Sequence, residues 1–167
     1  MLALRYVYVL ALVVWLGGMV ILGAVVAPSV FQVLQSHAGI PAAAGRVAAG
    51  DVFGTVLARF HLVSYACGFL LLAALSAVAV LGPRPRSFAV RSGIIVVMLG
   101  IALYSGVIVS GTLDDIQTEI GEGISPSTLP ETDPRRLRFD SLHVLSTRLM
   151  MVNILGALVL LYWETKE

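Results

Sequence analysis

Residues 92–113 read SGIIVVMLGIALYSGVIVSGTL, a stretch without a single charge. As a helix it would be about 33 Å long at 1.5 Å per residue, enough to cross a hydrocarbon core of roughly 30 Å. Lipid offers backbone amides no partners, so a segment of this composition has to be helical, and nothing in it alternates as a membrane strand would. Working outward, comparable runs lie at Tyr6 to Ala27, at Leu62 to Gly82, and from about His143 to Trp163. The expected fold is therefore an all-α integral membrane four-helix bundle, a single domain over residues 1–167, with interfacial helices on the outer side.

Composition agrees. The 167 residues are 58% hydrophobic and 13% charged, with a mean hydropathy of +0.93. These values are far from the roughly 25% charge of a soluble domain. Eleven Lys+Arg against ten Asp+Glu give a net charge of +1, which argues against a nucleic-acid surface. Cys67 is the only cysteine, so an internal disulfide and a CxxC metal pair are excluded. It falls within a span and reads as a small packing residue. Arg5 followed by an apolar run resembles a signal peptide, but the run is longer than a signal core, and a retained helix is expected.

Pro28 marks the end of the first span, and Gly82-Pro83-Arg84-Pro85-Arg86 a tight turn that makes spans two and three antiparallel neighbours. Ala42 to Ala58 is expected to be an interfacial helix leading into span two. Leu113, Ile116 and Ile120 share one face of a short amphipathic helix, and 121–134, with three prolines, reads as loop. Asp133-Pro134 has the form of an N-cap followed by proline at the first helical position, starting the last helix well before the membrane. Arg5, Arg84, Arg86, Arg91 and Lys166 lie on one side, and Arg46, Arg59, Arg135, Arg136, Arg138 and Arg148 on the other. That near balance decides nothing. The turn with three arginines and no acid favours cytoplasmic termini, because the opposite side concentrates Asp114, Asp115, Glu119, Glu122, Glu131 and Asp133 in an acidic outer loop, 114–134. The expected location is the inner membrane of a bacterium.

Two histidines, His61 and His143, fall at equal depth at the outer ends of spans two and four. Imidazoles on facing helices can ligate haem b, a pigment or copper, and equally they can be ordinary interfacial polar groups. Asp140, Thr147 and Met150 share the His143 face, but Met150 is about 10 Å further along the axis, too far to grip the same ion. Arg59 and Arg148 flank the region as snorkelling cations or as clamps for a carboxylate or phosphate. Asn153 reads as interhelical glue or as the lining of a polar pocket. Gly17, Gly18, Gly23 and Gly106 form small-residue faces for bundle packing or for a partner or second copy, and Asp114, Asp115, Glu119 and Glu122 offer a docking surface. Trp15 lies mid-span, in the core or against a partner. The chain lacks HExxH, GxSxG and P-loop motifs and has no ionisable group at the centre of a span. This points away from hydrolysis and primary transport and towards a non-enzymatic protein.

Trp15-Leu16-Gly17-Gly18, Pro28, Phe31, Ala44-Gly45, Phe53, Phe139 and Leu142-His143-Val144-Leu145-Ser146 resemble the uncharacterised four-helix bacterial membrane proteins of the transmembrane protein 205-like type. The Trp-x-Gly-Gly span is also similar to copper-resistance protein D and to the haem-containing membrane protoporphyrinogen oxidase group. The resemblance implies the architecture and His143 as a functional position. Where eukaryotic relatives carry His-Pro after the first span, this chain has Ala27-Pro28, and its acidic connection is longer. Two functions follow as expectations. One is an accessory subunit docking in a larger membrane redox or photosynthetic complex, with the bilayer and membrane proteins as partners and no nucleic acid. The other is a haem- or copper-binding protein using the outer histidines.

Overall fold

The computed structural model describes residues 2–37, 39–82, 87–121 and 123–166, and among them there is no strand. Four continuous helices make the fold: α1 (Leu2–Gln35), α2 (Ala42–Leu81), α3 (Phe88–Ile120) and α4 (Pro134–Glu164), each long and apolar enough to cross a membrane. Residues 83–86 of the expected tight turn, and Glu122, lie outside the described residues.

The helices pack because each turns one face inward. On α1 the inner face is Tyr8, Ala11, Leu12, Trp15 and Met19, at the three- and four-residue spacing of a helical stripe. It meets Cys67, Leu71, Ala74 and Leu75 of α2, Ile95, Met98 and Ala102 of α3, and Ala157 and Leu160 of α4. The opposite faces are apolar too: Leu10, Val13, Phe69, Leu70, Val96, Val97, Leu155 and Leu158 are exposed around the perimeter. A chain apolar both inside and outside is suited to lipid and imposes a bilayer environment. Close approach is set by glycine. A Cβ on Gly18 would run into the Phe60 ring, one on Gly68 would lie 2.8 Å from Leu99 Cδ1, and one on Gly45 would lie 2.8 Å from the Leu34 carbonyl carbon.

Three boundaries differ from the sequence reading. Pro28 does not end α1. A π-helical turn at Leu22–Val26 widens the helix just before it, relieving the clash of the proline ring with the carbonyl four residues back, and α1 continues to Gln35. The expected interfacial helix from Ala42 is continuous with span two, giving one helix of 40 residues. Residues 114–120, expected within the outer loop, are the last turns of α3, with Ile116 and Ile120 buried as the amphipathic pattern requires. Gly121, at φ 108, ends that helix. Asp133 caps α4 as expected, its Oδ1 accepting from the Arg135 amide at 2.9 Å.

At the end of the bundle that holds the termini, α1, α3 and α4 are tied together by charge. The Arg91 guanidinium, 2% exposed, pairs with Glu164 and lies 5.3 Å above the Tyr8 ring. Arg5 adds a more exposed bond to Glu164 at 3.1 Å.

Candidate functional site

At the opposite end the four helices diverge around a cavity of about 1040 Å³. Its depth follows from helix geometry. If Glu164 marks one membrane boundary, Asn153 is about 16 Å in, near mid-membrane, and His143 about 31 Å in, near the far boundary. The cavity thus reaches from the middle of the bilayer to headgroup level. Its walls are mostly apolar, with Trp15, Met19, Phe60, Ile101 and Met150 among them. Gly50 and Gly54 help to open it, since a Cβ at either would meet nothing within 4 Å. A second π-helical turn, Tyr104–Val109 in α3, faces the cavity through Ser105. The first π turn contributes Leu22 and Gly23.

The segment 123–133 folds back over the opening as a roof. Ser125, Pro126 and Ser127 line the cavity. The segment is held by Arg46 Nη1 donating to Ser127 Oγ at 2.7 Å, by Gln117 Nε2 donating to the Ile124 carbonyl at 2.9 Å, and by Arg136 Nη1 donating to the Leu129 carbonyl at 2.7 Å.

Both histidines line this space, but in different states. His61 is half-buried, stacked on Tyr65 with ring centroids 6.2 Å apart and planes at 12°. Its Nδ1 is buried without a hydrogen-bond partner, 3.0 Å from where a Cβ on Gly106 would stand. His143 is exposed at the rim. A metal-ligating histidine ordinarily donates its second ring nitrogen to a carbonyl or carboxylate, and His61 Nδ1 has none. No group of three or more His, Cys, Asp or Glu that could hold a metal ion occurs among the described residues. The donor set therefore does not fit a copper or zinc centre.

Arg59 and Arg148 are exposed and are not among the residues that line the cavity. The arginine that does reach it is Arg46, which the sequence reading assigned no role. The charged residues of the lining are Asp51, Asp114 and Asp140 against that one guanidinium, a set that offers little to the carboxylates of a haem. Asn153 is 4% exposed, lines the cavity, and has Oδ1 buried without a partner, which fits the pocket-lining alternative read from sequence. Ser64 and Ser105 are also buried and line the cavity. The sequence signal that could have pointed to the cavity is the small-residue series Gly50, Gly54 and Ala58, which leaves only hydrogen or methyl on one stretch of the α2 wall.

Of the expected interface residues, Gly18, Gly23 and Gly106 are occupied within the chain by Phe60, by Met150 (Cε at 3.1 Å) and by His61 with Tyr65, whereas Gly17 has open space. Asp115 and Glu119 are exposed on the surface, and Asp114 is at the cavity mouth.

No curated protein and no solved structure matches the chain. A family model does, over residues 10–121, which takes in most of α1, all of α2 and α3, and the cavity walls from Trp15 to Gln117. It is this relation, rather than a likeness to the transmembrane protein 205-like proteins or to copper-resistance protein D, that the comparison supports. With about two thirds of its length matched, the chain belongs to the family described as a domain of unknown function, DUF4149.

Proposed function

We propose that this is a non-catalytic protein of the bacterial inner membrane that holds a small amphipathic molecule in the cavity at its loop end, with both termini in the cytoplasm. The observation that carries the reading is Asn153 Oδ1, buried without a partner on the wall of a cavity of about 1040 Å³. An unsatisfied buried acceptor costs about 1–3 kcal/mol, and a ligand or an ordered water that donates to it removes that penalty. The cavity is of the size, and has the apolar walls with few polar groups, that characterise small-molecule sites.

The test is purification from native membranes in mild detergent, with the visible spectrum recorded and the organic extract analysed by mass spectrometry. A stoichiometric small molecule, lost from the Gly54→Leu variant that narrows the cavity, supports the reading. An extract holding only bulk membrane lipid, identical in the two proteins, refutes it. A Soret band that disappears on His143→Ala would instead establish the haem chemistry expected from the histidine pair.

The accessory-subunit reading rests on a separate observation, the exposed carboxylates Asp115 and Glu119 on the loop end. Deleting 119–132 would release the protein from a larger assembly on a native gel. A full-size assembly after deletion would rule the segment out as the dock.

A further inference from the structure

We infer that the molecule held in the cavity is an uncharged lipophile that sits with its polar head innermost, a head that both donates and accepts hydrogen bonds as an amide, an alcohol or a phenol does; this rests on the ligand-holding reading above. The floor of the cavity carries the polar groups. Gly18 packs on Phe60, and Gly106 on His61 and Tyr65, a register that brings Trp15, Ser64 and Ser105 to one level. Gly156 packs on Met98, which sets Asn153 within about a turn of that level. All four line the cavity and are buried. The hydrogen-bonding capacity left there is of both kinds. Asn153 Oδ1 is a buried acceptor without a partner, and Ser64 Oγ, whose proton goes to the Phe60 carbonyl at 3.0 Å, keeps its lone pairs. The Asn153 amide nitrogen and the Ser105 hydroxyl are donors that make no hydrogen bond among the described residues. A ligand group that only accepts or only donates leaves part of this capacity unmet, whereas a head that does both meets it.

The same level is far from charge. Arg46 and Asp51 on α2, Asp114 on α3 and Asp140 on α4 line the cavity, but they lie about 14–27 Å nearer the loop end along their helices. A charged head on the floor, near mid-membrane, would lose its hydration with no fixed counter-charge at hand, a cost that an uncharged head escapes. His61, about a turn above Ser64, is the nearest titratable group of the lining. Above the floor, Leu22, Phe53, Phe60 and Met150 give the tail apolar walls. A phospholipid, whose charged head stays at the interface, does not fit this pattern.

Orientation and charge are tested together with the full-length Trp163→Phe variant in phosphatidylcholine nanodiscs, where Trp15, on the cavity wall, is the sole tryptophan. The probes are 3-bromododecanamide and 12-bromododecanamide, whose bromine quenches tryptophan at short range. The saturable quenching of Trp15 should be at least twofold greater with bromine beside the head than with bromine at the tail. Unlabelled dodecanamide should displace the first probe at least tenfold more tightly than dodecanesulfonate or dodecylguanidinium, which keep their charge. Asn153→Leu, and the milder Ser105→Ala, should each weaken dodecanamide at least fivefold. Stronger quenching from the tail position, a charged probe that equals the amide, an affinity unaltered in both variants, or no saturable quenching at all overturns this inference. The ligand-holding reading then stands or falls on the membrane extract alone.

Discussion

Removing Glu164 tests the charge cluster that ties α1, α3 and α4. Its two partners differ in burial: the Arg91 side chain is 2% exposed and the Arg5 side chain 44%. Removing one partner of a buried pair costs about 3–5 kcal/mol, whereas an exposed pair contributes about 0–1 kcal/mol. Glu164 keeps some contact with its surroundings at 11% exposure, so the lower end applies. Glu164→Ala should destabilise the protein by about 3 kcal/mol, a change of roughly a hundredfold in the unfolding equilibrium, while Arg5→Ala should cost less than about 1 kcal/mol. The double variant Arg91→Leu/Glu164→Leu should recover most of the loss, because well-packed apolar residues replace a buried pair at little cost. Titration of dodecylmaltoside micelles with sodium dodecyl sulfate, followed by tryptophan fluorescence, gives the free energies. Equal losses for Arg5→Ala and Glu164→Ala, or a double variant as unstable as the single one, would refute the assignment of the energy to the buried arm.

Three further outcomes are expected. Gly106→Ala would place a methyl 2.8 Å from His61 Cγ and into the Tyr65 hydroxyl, and the same denaturation assay should show a loss of about 1–3 kcal/mol from overpacking. Gly54→Leu meets open space and replaces a poor helix former, so thermal unfolding should shift upward or stay unchanged even as the cavity narrows. The Asp133 carboxyl is held below its ordinary range, first by the hydrogen bond from the Arg135 side chain. A carboxyl lowered in the folded state adds stability that is complete above its unfolded value near 3.9 and is lost as pH falls through the lower folded value. The Arg135 amide resonance should therefore report an intact cap at pH 5 and fraying only in strong acid, and in Asp133→Asn the acid transition should disappear.

The spans were legible because an uncharged run as long as a bilayer is thick permits one conformation, and the Asp133-Pro134 start of α4 was legible because capping is local chemistry. The continuation of α1 beyond Pro28 was not, since a proline reads as a stop and only the widened turn ahead of it lets the helix go on. Arg91 entered the sequence reading as one more charge on its side, because its partner, Glu164, is 73 residues away. Counting residues along each span was enough to bring His61 and His143 to the same end of the bundle, where both line the cavity. The outward position of Arg59 and Arg148 follows from the azimuth that the count ignored: at 100° per residue, Arg59 is about 160° around α2 from His61, and Arg148 about 140° around α4 from His143. Asn153 is the intermediate case. Its burial was predictable, but whether it met a neighbouring helix or a cavity depended on how the four helices pack at its level, which no count along one span gives.

The π turn in α3 makes the two halves of that helix unequally tolerant of length change. A π turn holds one residue more than an α turn does, so losing a residue from Tyr104–Val109 would restore regular α-helix while Ile95, Met98 and Ala102 stay in the core and Ile116 and Ile120 stay beneath the roof. A residue lost from Ile94–Leu99 would instead rotate everything beyond it by about 100° and turn the wall of the cavity towards lipid. Single-residue insertions and deletions among related chains should therefore collect at 104–109 and be missing from the turns below it.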